Sequence, residues 1–172
     1  ALTEIGAVYV ENGKINPDKS FCTFVNPGKP IPQKVVELTG INDSMVADAP
    51  TPAEAIRQFK EFCGDNILVA HNAHSFDMLF IRKAGDKAGV DFSNTYIDTL
   101  PMAQALFPGL HNYKLDTINK HLEIQPFNHH RAVDDAMALA RIFEVMLSDL
   151  KEKDMTTVEA INTGLGGNKE VL

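Results

Sequence analysis

The chain has 172 residues and a mass of 18.9 kDa, the size of one ordinary domain with a real core. Hydrophobic residues make up 44% and charged residues 23%, which excludes disorder, and no apolar run approaches the ~20 residues of a membrane span. Two cysteines in unrelated contexts exclude a disulfide scaffold and fit a reducing compartment such as the cytoplasm, and a net charge of −7 argues against a protein that coats a nucleic-acid duplex. No signal-peptide pattern opens the sequence. In chain order, Ala1–Val10 reads as a strand, Asn12-Gly13 as a hairpin turn and Lys19–Val25 as the partner strand, ended by Pro27 and Pro30. Pro32–Thr39 is a short predicted helix stopped at Gly40. Thr51-Pro52-Ala53-Glu54 has the pattern of a capping box with proline at the first helical position, so a helix is predicted to about Phe62, with a stop at Gly64. Ile67–Ala70 is a short continuous apolar run, as expected of a strand buried on both faces. Helix follows over Phe76–Ala88, strand over Thr95–Ile97, and helix over Thr99–Leu106, Leu115–Leu122 and Arg131–Leu150. An antiparallel pair followed by alternating strands and helices predicts a three-layer α/β domain with a mixed central sheet. Residues 1–150 form the expected domain, and 151–172, richer in charge and then in glycine, read as a tail or linker.

Two acids lie where acids are expensive. Advancing about 100° per residue along Arg131–Leu150 gathers Ala132, Ala136, Leu139, Ile142, Phe143, Met146 and Leu150 on one side. Asp135 falls on the edge of that stripe, whereas Asp134 falls opposite, a solvated acid. A carboxylate facing a core is costly unless something compensates it. His130 stands just before the helix, where its ring can turn toward the same place as Asp135. The same projection over Phe76–Ala88 sets Asp77 with Phe80, Ile81, Ala84 and Ala88, on an inward-looking surface just past a strand end, where α/β sheets commonly place ligands. Two inward carboxylates suit magnesium or manganese. A pair of such ions can activate water and stabilise the leaving oxygen of a phosphodiester, and a histidine can take the proton from that water. Position alone leaves plainer readings open. Asp77 and Asp135 also suit helix starts electrostatically, Asp98 is equally placed to cap a helix, and His71 can be a structural histidine bonded to backbone.

The segments Thr3-Glu4-Ile5-Gly6-Ala7-Val8, Phe24-Val25-Asn26-Pro27, Glu37-Leu38-Thr39-Gly40-Ile41, His71–Asp77, Ile97-Asp98-Thr99 and His130–Asp135 together carry a resemblance. Over residues 1–150 the chain resembles the DEDDh (DnaQ-like) 3′–5′ exonucleases, and among them the proofreading exonuclease domains of PolC-type DNA polymerase III. The resemblance implies a ribonuclease-H-like fold and two magnesium or manganese ions held by four acids. Asp77 matches the acid of the second motif, Asp135 that of the third, and His130 the general base. His71, Asn72 and Phe76 match positions bordering the terminal nucleotide. The implied activity is removal of 3′-terminal nucleotides from single-stranded DNA for a replicative polymerase, expected in the same polypeptide. An RNA-trimming exoribonuclease and a catalytically incomplete docking module are the alternatives.

The same match shows two departures. The opening Asp-x-Glu strand of the family is expected shortly before Ala1, and without it the antiparallel pair has an unpaired inner edge. Residues 159–165 echo the ending of that motif, but Ile161 stands where its glutamate belongs. Two residues, His74 and Ser75, separate Ala73 from Phe76 where the family has one.

Overall fold

The computed structural model describes residues 2–73, 77–125, 131–155, 157, 160 and 161. A hairpin opens the chain. Strand β1 (Glu4–Glu11) pairs antiparallel with β2 (Lys14–Phe24) through the Asn12-Gly13 turn, where both residues have positive φ (53° and 77°), as a type I′ turn requires. β2 begins five residues earlier than expected. The register shifts between Val8 and Tyr9, with Val8 opposite Ser20 and Tyr9 opposite Asn16. Residues 17–19 therefore bulge out, and Pro17, which has no N–H for a ladder, sits in that bulge.

Helix α1 (Gln33–Thr39) ends on Gly40 at φ 73°, followed by the single turn α2 (Asp43–Val46), which local pattern did not reveal. Helix α3 (Pro52–Cys63) carries the full capping box. Thr51 accepts from the Glu54 N–H, and the Glu54 carboxylate accepts from the Thr51 N–H. Strand β3 (Leu68–Ala70) leads toward helix α4 (Asp77–Ala88). Strand β4 (Tyr96–Asp98) pairs parallel with β3 and runs directly into α5 (Thr99–Leu106). Helices α6 (Leu115–His121) and α7 (Ala132–Glu152) complete the order.

The strands are antiparallel and parallel as expected, but they form two two-stranded sheets, β1–β2 and β3–β4. Among the described residues β1 has one strand neighbour and so has β3. β3 is half-buried throughout, with Ile67 beside it 50% exposed, so the expectation of a strand covered on both faces is corrected. The β1–β2 hairpin is sandwiched. Ile5 and Val25 pack with Ala55, Ile56 and Phe59 of α3, with Phe21 partly buried beside them, and α7 crosses the other face. The larger core joins Ile97, Met102, Phe107 and Ile118 to Ile142, Phe143, Met146 and Leu150 of α7.

Two further expectations are corrected, and helix α7 runs past residue 150. Phe80 is 47% exposed, so the inward face of α4 is Met78, Ile81, Ala84, Gly85 and Ala88 without it. Asp134 is half-buried rather than fully solvated, since the first turn of α7 presses on the hairpin. α7 continues to Glu152, Met155 packs on the core, and Ile161 is buried in it at 4% exposure.

Candidate active site

The parallel pairing of β3 with β4 sets Ala70 opposite Asp98, so both strands end together. The segments leaving those two ends build the site. After β3 the backbone turns through Asn72 at φ 59°, a left-handed conformation that asparagine tolerates better than most residues. After β4, Asp98 caps α5. Its Oδ1 accepts from the Leu100 N–H at 2.9 Å and also from the Asn72 N–H at 2.9 Å. One carboxylate oxygen thereby starts a helix and fixes the turn after the neighbouring strand. The capping reading of Asp98 is thus observed.

Asp77 opens α4, whose Met78 N–H reaches back to the Ala73 carbonyl at 3.0 Å. Solvent reaches the Asp77 side chain, which is exposed rather than turned into the core. Its carboxyl is nevertheless pushed above the ordinary aspartate range, first by the protein packed around it and then by the charge of Asp98. The charge of Asp98 thus reaches Asp77, whose outer side is open to solvent. The oxygen donors suit a hard divalent ion such as magnesium or manganese. Among the described residues no group of three or more His, Cys, Asp or Glu side chains is gathered closely enough to hold an ion by itself. The fit is therefore of donor chemistry, with part of a ligand set.

Asp135 stands in the first turn of α7, half-buried, with its N–H bonded to the Arg131 carbonyl at 2.9 Å. His130, expected as the general base, and Phe76, expected beside the nucleotide, lie outside the described residues, as do His74 and Ser75.

His71 is tied at both ring nitrogens. Nε2 lies 2.6 Å from the Tyr113 carbonyl and Nδ1 2.9 Å from Thr99 Oγ1. A carbonyl only accepts, so Nε2 carries a proton, and the Thr99 hydroxyl that meets Nδ1 also donates to the Ala70 carbonyl at 3.3 Å. Burial holds the His71 pKa below its ordinary value, against the opposing pull of the Tyr113 bond and Asp98. His71 and Asn72 form one wall of an open hollow of about 300 Å³, completed by Leu100, Gln104, Tyr113 and Lys114. Gln104, Tyr113 and Lys114 carried no signal in the sequence. Only the packing of α5 beside the turn before α6 brings them to His71.

A family model described as "Exonuclease" matches residues 1–143. The chain belongs to this exonuclease family. It is 46% identical over 164 residues to a "DNA polymerase III PolC-type" of Caldanaerobacter subterraneus subsp. tengcongensis, an alignment that takes in 95% of this chain and 12% of that one. It thus spans about an eighth of that polymerase. Among solved structures it is similar to Exonuclease X in complex with 5′ overhanging duplex DNA, with a TM-score of 0.73 and 26% identity over 95% of this chain and 90% of that one. The nuclease domain of 3′hExo, a DEDDh family member bound to rAMP, shares the fold at a TM-score of 0.70 and 18% identity, covering 86% of this chain and 80% of that one. The α/β architecture of this domain is therefore that of the ribonuclease-H-like exonucleases, a family that uses divalent metal ions. No helix among the described residues is long and apolar enough to cross a membrane.

Proposed function

We propose that this exonuclease-family domain removes nucleotides one at a time from the 3′ end of single-stranded DNA, releasing nucleoside 5′-monophosphates, as the proofreading activity of a replicative polymerase in the cytoplasm. The observation that carries the reading is the 46% identity to a PolC-type DNA polymerase III across 95% of the chain. The charge of Asp98, at the end of β4, acts on Asp77 at the start of α4, which is consistent with it.

In this reading Asp77 and Asp135 hold two magnesium or manganese ions, with two further acids from the Asp-x-Glu segment that the family pattern sets upstream of Ala1. When bound, such ions neutralise phosphate charge and ease deprotonation of the attacking water. His130 accepts the proton of that water, a task suited to an imidazole with an ordinary pKa of ~6.5. Asp98, with one oxygen committed to two backbone donors, orients Asn72 and the start of α5 and adds negative charge that favours cations at Asp77. His71, Asn72 and Phe76 border the terminal nucleotide. His71 does so as a wall fixed at both ring nitrogens.

The test is cleavage of a 3′-labelled single-stranded oligonucleotide with magnesium by the intact polypeptide that carries this sequence. Asp135→Ala and His130→Ala should each slow it at least ~100-fold. Undiminished activity in either variant overturns the assignment. A matched RNA oligonucleotide should be cut more slowly than DNA, and the reverse order transfers the reading to an exoribonuclease. Calorimetric titration with manganese should give two-ion binding, and no binding would mark a docking module.

A further inference from the structure

Helix α7 begins without a cap of its own. Arg131 occupies the N-cap position, and its side chain accepts no hydrogen bond from the first turn. The missing acceptor comes from the far end of the chain. Glu4 of β1 accepts from the Ala132 N–H through Oε2 at 2.9 Å. The same carboxylate accepts from Arg131 Nη2 at 2.9 Å and from Arg131 Nε at 3.2 and 3.3 Å. The Glu4 side chain is 4% exposed, so this is a buried charge held by a bidentate guanidinium and a helix N-terminus. Arg131 in turn lies over the ring of Phe24, 5.3 Å from its centroid, and Phe24 is the strand partner of Glu4. Two residues along the same face of β1, Gly6 lies directly under the helix. A Cβ there would fall 2.3 Å from the Ala132 carbonyl carbon and the Val133 nitrogen. Bonding and close approach thus act on the same turn, and that turn contains Asp135, whose N–H is bonded to the Arg131 carbonyl at 2.9 Å.

We propose that Glu4 is a positioning residue for Asp135, acting through Arg131 and the Ala132 N–H to fix where the first turn of α7 presents its carboxylate. The inference rests on the metal-binding role proposed for Asp135. The Arg131 guanidinium, engaged with Glu4 and Phe24, steadies the turn after His130. A carboxylate serving a site by holding its ligand's backbone belongs to the outer layer of partners whose loss typically costs about 10–100-fold in metal affinity or activity.

The experiment uses the intact polypeptide with Glu4→Ala and Glu4→Gln, read by hydrogen exchange of individual segments, manganese calorimetry and steady-state kinetics. In Glu4→Ala, exchange at 132–135 should speed at least ~10-fold while α3 is unchanged. Manganese affinity should fall roughly tenfold, and kcat should fall about 10–100-fold with KM unchanged. Glu4→Gln, which keeps one acceptor, should fall between wild type and Glu4→Ala in all three. If Glu4→Ala does not fold, Glu4→Gln alone carries the test, and wild-type exchange and kcat in that variant overturn the proposal. Faster exchange spread evenly over the domain, with kcat and manganese affinity intact, also overturns it, because that is a stability effect alone. Asp135→Ala separates the two readings. If it leaves metal binding and activity intact, the metal role of Asp135 fails whatever Glu4 does. If it abolishes both while Glu4→Ala changes neither, the positioning claim alone fails.

Discussion

At the scale of single residues, Glu4 is pulled two ways. Burial raises its carboxyl pKa, but the Arg131 hydrogen bond, the Ala132 N–H and the Arg131 charge outweigh that, and it settles below the ordinary glutamate value of 4.5. The folded state then binds fewer protons than the unfolded one between the depressed value and 4.5, so stability rises with pH across that window. The Glu4 contribution is complete above 4.5 and disappears as pH drops through the folded value. Urea unfolding at a series of pH values should therefore show wild type and Glu4→Gln converging in acid and separating toward neutrality. Parallel curves would mean the charge is not coupled to folding. The two cysteines offer a second residue-scale test. Burial pushes the Cys63 thiol up to about 12, against a weaker opposing effect of Lys60. At pH 8 about one molecule in ten thousand then carries the reactive thiolate. Cys22 is exposed, and its thiol is raised by burial and by Glu4, though not to that degree. Iodoacetamide followed by mass spectrometry should label Cys22 in the folded protein and Cys63 only once it unfolds. Equal labelling rates contradict this.

At the scale of elements, what local chemistry dictates was legible and what distant partners dictate was not. The capping box of α3, the Asn12-Gly13 turn and the Gly40 stop each involve residues within four positions of one another, and each is found where the pattern sets it. β2 starts five residues before the expected Lys19 because the hairpin continues on either side of a bulge that holds Pro17. The helical projection selected Asp135 over Asp134 from the apolar stripe alone. It counted Phe80 inward because a projection assumes one flat covering surface, whereas α4 lies against α3 along a narrower strip. The cap of α7 was beyond any local reading, since Glu4 lies 128 residues from Ala132. Gly6 tests that long-range contact at the level of two packed elements. Gly6→Ala puts a methyl group against backbone, which cannot rotate aside as a side chain can. β1 and α7 must part, at a cost of about 3 kcal/mol of stability in urea unfolding. Activity should fall with it, since the turn carrying Asp135 moves. Wild-type stability in Gly6→Ala would show that the helix does not press on β1.

At the scale of the whole molecule, packing against the core continues past residue 150. The charged run 151–154 looks like the start of a linker because charge is read as solvation. Yet Met155 and Ile161 lie past it, and both pack against the core that α7 shares with α5 and α6. The Ile161 N–H bonds to the Thr157 carbonyl at 3.0 Å, and the Ile161 side chain is buried. The exonuclease family match ends at residue 143, which makes this closing turn an addition to the matched region rather than part of it. If it is a working part of the core, Ile161→Ala leaves a cavity between α7 and its neighbours and should lower stability by about 2–4 kcal/mol in urea unfolding, with the proposed metal site unaffected. A loss under about 0.5 kcal/mol, the range typical of surface positions, would mean that the segment rests on the domain without belonging to it. The two results also bear on truncation. With a core role for Ile161, a chain cut after residue 150 loses that contact and should unfold at lower urea than the full chain. Without one, the two should unfold together.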